Sequence, residues 1–205
     1  MMKFSSTCGA IIIAVMAESL GATGEEHPDR SVGAMKFVSQ PMRLPGTDFE
    51  IAIGSTVLDR TTWRVEPKLL TAITIWLSRN FNLPLVEDMP RIAFVPAKVI
   101  GELRYGSASD LPGAGEVVAV YNDDAQTIYL AKGWTGTTPA ELSILVHEMV
   151  HHLQHVAGMR FACAEAREKL AYEAQQKWLA LFGRDLFRDF DTDPFTLLVR
   201  TECLP

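Results

Sequence analysis

Residues 145–155, LVHEMVHHLQH, set four histidines and one glutamate in an otherwise mostly apolar stretch. Three of these side chains have a spacing that permits chemistry: His147, Glu148 and His151, in the pattern H-E-x-x-H. Positions four apart on an α-helix lie one turn apart on the same face. The two imidazoles can therefore grip one divalent ion, with Zn2+ the expected occupant and a single ion per chain. Glu148 is turned about 100° from His147. From there its carboxylate is poorly placed to be a ligand but can reach a water on the ion, which the metal acidifies and the carboxylate deprotonates. The product is a nucleophile able to attack a peptide carbonyl. His155 stands about 12 Å along the axis from His147 and cannot share its ion. His152 is expected as a surface neighbour of Glu148.

A catalytic zinc needs three protein ligands and one open position. In the extended pattern H-E-x-x-H-x-x-G-x-x-H the third ligand is a histidine, but Gln154 and Ala157 stand at the last two fixed positions here. The remaining common solution is a glutamate from a following helix. That helix offers Glu165, Glu168 and Glu173. Glu173 has Lys169 and Lys177 four residues to either side, the mark of a solvated face. Glu165, Glu168, Tyr172, Gln175 and Leu179 instead form a stripe at spacings of three and four, along the border of an apolar arc. Glu168 lies at the middle of its polar part and is the first choice for the ligand. Glu165 is the second, or a partner that orients a histidine. Tyr172 is a candidate oxyanion donor or a packing residue beside the site.

The helix that carries the motif is well marked. Thr138, Pro139 and Glu141 occupy N-cap, N1 and N3, which makes a capping box and predicts a helix from Pro139 to about Val156 with a stop near Gly158. Leu142, Leu145, Val146, Met149, Val150 and Leu153 cover one broad side of it, so the polar residues are expected to line a cleft. A second helix is expected over CAEAREKLAYEAQQKWLALFG and an earlier one over residues 65–81. RIAFVP (91–96) reads as a short strand, 104–116 as a Gly- and Ser-rich loop able to cover a cleft, and 116–134 as two strands joined through NDDAQ. The tail after Gly183 reads as a polar turn and a short apolar run, with Asp189, Asp191 and Asp193 as solvated turn residues.

The remaining features bound the setting. The chain has 205 residues and a net charge of −6, with no run of Lys or Arg, so nucleic acid is not an expected partner. Residues 1–22 have one lysine, a short apolar run and then small residues, the order of a secretory signal peptide. The run is too short to span a membrane, so no stable membrane insertion is expected after cleavage, and the protein is expected to be exported, periplasmic or secreted. Residues 23–45 read as a linker or leader and 46–205 as one domain. Loss of the leader would leave two cysteines, Cys163 and Cys203, and in an exported protein they are expected to pair. Oligomeric state is not legible.

Taken with the downstream glutamate, the His147-Glu148-His151 motif resembles the zincin metallopeptidases, in particular the gluzincin type. The resemblance spans roughly residues 66–182. It implies an α+β fold, in which a small, mainly antiparallel sheet packs on an N-terminal helix, the motif helix and a following ligand helix. It also implies a peptide or protein substrate, bound as an added strand along TIYLAKGW, the segment before the motif helix. Zinc ligands carry over onto His147 and His151, the general base onto Glu148, and the downstream ligand onto Glu168. AEAREKLAY lacks the common N-E-x-x-x-D form and has Tyr172 where the aspartate would stand. A non-catalytic zinc-binding protein on the same scaffold is the alternative.

Overall fold

A computed structural model of the chain describes residues 10–12, 58–59 and 64 (backbone alone) and residues 41–54, 57, 65–106 and 117–203. The fold is α+β. Its elements in order are β1 (Ala10–Ile12), β2 (Met42–Arg43), β3 (Glu50–Ile51), β4 (Leu58–Asp59), β5 (Arg64–Val65), α1 (Pro67–Phe81), β6 (Arg91–Val95), α2 (Ala97–Tyr105), β7 (Val117–Asn122), β8 (Thr127–Ala131), α3 (Pro139–Val156), α4 (Ala164–Ala180), α5 (Leu186–Asp189) and α6 (Pro194–Thr201).

One sheet has four strands in the order β1-β7-β8-β6. The β7–β8 hairpin is antiparallel, β6 runs parallel to β8, and β1 lies antiparallel on the outer side of β7. From Ala119 onward the hairpin alternates its side chains between two faces, and the register shift against β1, which skips Val118, puts Val117 on the face of Val120. Ala119, Tyr121, Ile128 and Leu130 join the main core with α1, α3 and α4, whereas Val117 and Val120 pack with Ile100 of α2 on the other face. Trp76 of α1 meets Trp178 of α4 edge-on, with centroids 5.5 Å apart, and closes the core behind α3. Each large apolar side chain so buried contributes about 1.5–3 kcal/mol.

The site-bearing helix begins as its sequence dictates. Thr138 Oγ1 accepts from the Glu141 amide and the Glu141 carboxylate accepts from the Thr138 amide. Glu141 also takes the amides of Thr135 and Thr137, which fastens the β8–α3 loop to the first turn. Gly136 in that loop has φ +67°, and a Cβ there would lie 2.4 Å from Val57 Cγ2, so only glycine fits.

Several expectations are corrected. TIYLAKGW does not lie at the sheet edge: β8 is paired on both sides, by β7 and β6. Arg104 and Tyr105 belong to the last turn of α2 rather than to a loop, and residues 107–116 lie outside the described residues. Residues 41–45 are not linker, because β2 pairs with β3 and Leu44 is fully buried. Ala10–Ile12, expected within a cleaved leader, form β1; the rest of the expected leader and linker up to residue 40 lies outside the described residues. The tail folds into α5 and α6, with Asp185 and Asp193 capping them and Asp189 accepting two hydrogen bonds from Arg184. Cys163 and Cys203 form a disulfide with Cα atoms 5.8 Å apart, and Cys163 also caps α4.

Candidate metal centre

Helices α3 and α4 make the most extensive helix–helix contact of the fold, and their seam holds the site. His147 and His151 project from successive turns of α3, with ring centroids 4.9 Å apart. Both rings turn Nε2 toward one oxygen of α4: Glu168 Oε2 lies 3.0 Å from His147 Nε2 and 3.2 Å from His151 Nε2. One ligand atom from each residue falls within 4.8 Å of the others, so His147, His151 and Glu168 form a group able to hold a metal ion. Among the described residues it is the one cluster of this kind.

The site is buried rather than open at a cleft. His147, Glu148 and His151 are fully buried, and Glu168 retains 4% of its exposure. Helix α3 is buried on all sides from Leu142 to Gln154, because the sheet covers one side and α1 and α4 cover the others. The wheel showed one apolar side but not that the polar side would also be covered. His152 is likewise buried, not at the surface. It is held between the Tyr121 hydroxyl at 3.1 Å and the Asp88 carbonyl at 3.0 Å. His155 is apart from the cluster, with Nδ1 3.4 Å from Asp123.

Burial sets the electrostatics. It pushes the His147 imidazole down to about 4, against the pull of Glu168 and Gln175. Burial also opposes charge on Glu168, but the two histidines hold its carboxyl well below the usual carboxylate range. A neutral imidazole has one N–H. With Gln175 Oε1 at 3.2 Å from Nδ1 and Glu168 Oε2 at 3.0 Å from Nε2, His147 has two acceptors and one hydrogen. A cation between Nε2 and the carboxylate resolves this conflict, and Glu168 Oε1, buried with no hydrogen-bond partner, is free to join its coordination. The donor set, two imidazoles and one carboxylate, fits a borderline-soft divalent metal.

Glu148 is next to the group but outside it. Its oxygens are fully buried and meet no side-chain donor among the described residues, the Tyr121 amide being the one polar group that reaches them. Burial, and then the Glu168 charge, push its carboxyl well above the usual value; the Tyr121 amide and the charges of Arg167 and Arg104 offset part of this. Tyr172 packs edge-on against His147 at 4.8 Å. Burial and the Glu168 charge push its phenol up to about 12, with Arg200 working the other way through a hydrogen bond and its charge. Tyr172 is therefore tied toward α6. Glu165 and Glu173 are both exposed, and Glu165 is not part of the cluster.

Four residues of the site's surroundings escaped the sequence. Gln175 and Gln154 face the Nδ1 atoms of His147 and His151, at 3.2 and 3.1 Å. Arg167 donates to both oxygens of Asp123 at 2.7 Å and to the His151 carbonyl at 3.1 Å, joining α4, the β7–β8 turn and α3. Of these, Gln175 alone had a signal, its place on the Glu168 stripe.

Residues 63–204 match a family described as a domain of unknown function, DUF6647. The chain belongs to this family. No curated protein and no solved structure matches it. The family region holds α1 through α6 and with them every residue of the candidate centre.

Proposed function

We propose that the protein is an exported zinc-dependent peptidase, with zinc held by His147, His151 and Glu168 and with Glu148 as general base. The observation that carries this reading is Glu148 itself. A fully buried carboxyl that meets little beyond the Tyr121 amide is costly to keep, and a structural metal site has no use for one beside its ligands. Bound at the centre, zinc would supply Lewis acidity and an acidified water. Glu148 then takes the proton of the attacking water and passes it to the departing amine. A nearby dication favours its ionised form, which burial alone disfavours.

The substrate is proposed to lie as an extended strand along the outer edge of β7, not along β8. Strand β7 carries Tyr121, whose backbone amide acts on Glu148. That edge takes an antiparallel strand, since Ala10–Ile12 pair with Val120, Ala119 and Val117. Loss of the leader would free it for a peptide.

The test is cleavage of an unstructured protein such as casein by the purified mature chain, with and without chelator. Glu148→Gln should lose at least ~100-fold in rate and still bind one zinc. Cleavage that survives the substitution, or that ignores the chelator, defeats the proposal. One observation favours a second reading, a non-catalytic zinc site: the ligands and Glu148 are all buried, so a substrate reaches them only when covering segments part. In that case zinc binds and no peptide is cut.

A further inference from the structure

We infer that Gln154 and Gln175 are positioning residues that fix the tautomers of the two histidines, so that both Nε2 lone pairs converge on Glu168. The inference rests on the proposed metal site, though not on peptidase activity.

The orientation of each amide is dictated by its far end. The Gln154 side-chain nitrogen donates to the backbone carbonyl of Arg167 at 3.0 Å. A carbonyl only accepts, so the nitrogen must lie there and the Oε1 of Gln154 must face His151 Nδ1. The Gln175 nitrogen lies 3.2 Å from Ser143 Oγ. Ser143 spends its hydroxyl hydrogen on the Ala140 carbonyl at 2.7 Å and so accepts from Gln175. That turns the Oε1 of Gln175 to His147 Nδ1. Both histidines thus meet an amide oxygen at Nδ1 and the Glu168 carboxylate at Nε2, and a cation seated between Nε2 and the carboxylate leaves the hydrogen to Nδ1. In a neutral ring the lone pair is then at Nε2, the nitrogen that faces Glu168 in both cases.

The two anchors come from different elements. Gln154 is three residues beyond its histidine on the same helix, and its other bond reaches Arg167, next to Glu168 in the chain. Gln175 comes from α4 and bonds back to Ser143 of α3, one turn before His147. The chains of hydrogen bonds therefore set the rings and the seam together. Removal of such partners typically weakens metal binding 10- to 100-fold.

The experiment reads the ring nitrogens of the zinc-loaded protein by 15N–1H correlation at neutral pH, and zinc affinity by competition with a chromophoric chelator. The wild type should show His147 and His151 protonated at Nδ1. Gln154→Leu and Gln175→Leu, which keep bulk and lose the acceptor, should each bind zinc about 10- to 100-fold more weakly. Gln154→Glu and Gln175→Glu, which keep the acceptor oxygen, should retain the Nδ1–H form and bind within a few-fold of wild type. Nε2–H rings in the wild type, or folded Leu variants that bind zinc as tightly as wild type, overturn the inference. Should the Leu variants not fold, the wild-type spectrum decides alone. An inactive wild type with Nδ1–H rings defeats the peptidase reading only; an active one with Nε2–H rings defeats this inference only.

Discussion

At the scale of the residue, Glu148 and His147 are two buried groups that burial shifts in opposite directions, and this gives the metal-free protein a distinct pH signature. Glu148 ionises in the unfolded chain near 4.5 and in the fold only well above it. Its contribution is present in full below 4.5 and is lost as pH rises through the raised folded value. His147 is the reverse, taking a proton near 6.5 when unfolded and near 4 when folded. Its contribution, up to roughly 3 kcal/mol by the usual conversion, is present above 6.5 and lost as pH falls toward 4. Between 4.5 and 6.5 the two slopes oppose each other. The Glu148 slope should therefore make the chelated wild type lose melting temperature relative to chelated Glu148→Gln as pH climbs above 4.5. Zinc should flatten the slope, because the cation favours ionised Glu148. Melting curves with and without chelator check this, and a chelated wild type whose Tm does not fall relative to Glu148→Gln above pH 4.5 contradicts it.

At the scale of the element, what the sequence made legible follows from how local each cause is. The spacing of His147, Glu148 and His151 is a property of one helix, and the capping box marks where that helix begins, so the motif and its bearer could be read directly. Glu168 could be inferred from its stripe. Asp123, Arg167 and Gln154 were out of reach, because their roles exist only once α4 docks on α3 and the β7–β8 turn. Helix α6 begins at Asp193-Pro194, the same cap-and-proline signal as Thr138-Pro139, but its eight residues are too few for a helical period to stand out beside the alternating aspartates. Helix α2 has no side-chain cap and follows a proline that looked only like the end of a strand. The docking itself makes a prediction. The Arg167–Asp123 pair is buried, with both hydrogen bonds at 2.7 Å, and Asp123→Ala would strand the guanidinium. The cost should be about 3–5 kcal/mol, read by denaturant unfolding, with zinc affinity falling because Arg167 precedes Glu168. A loss under about 1 kcal/mol, the size expected of a surface pair, would show that the clamp is ornamental.

At the scale of the whole molecule, the question is what keeps the C-terminal segment on α4. Polar links tie it there: Lys169 reaches Glu202 at 2.8 Å on the surface, and the Tyr172 phenol interacts with Arg200. Helix α6 buries only Thr201 well and leaves Phe195, Leu198 and Val199 exposed. Leu197 packs against the main core, and the segment leans, through Tyr172, toward the ring of His147. A covalent tie adds to these contacts, since the bond from Cys163 to Cys203 spans 40 residues. By the chain-entropy estimate, closing a loop of that length contributes roughly 4 kcal/mol. Cys203→Ser is the cleaner variant, because Cys163 also accepts the Ala166 amide at the start of α4. It should lower stability by about that amount and raise hydrogen exchange across Pro194–Thr201. Amides of Pro139–Val156, held by the capping box and the core, should stay protected, and zinc should still bind one to one. Were exchange in α3 to rise as much as in α6, the disulfide would be securing the core itself rather than its C-terminal cover.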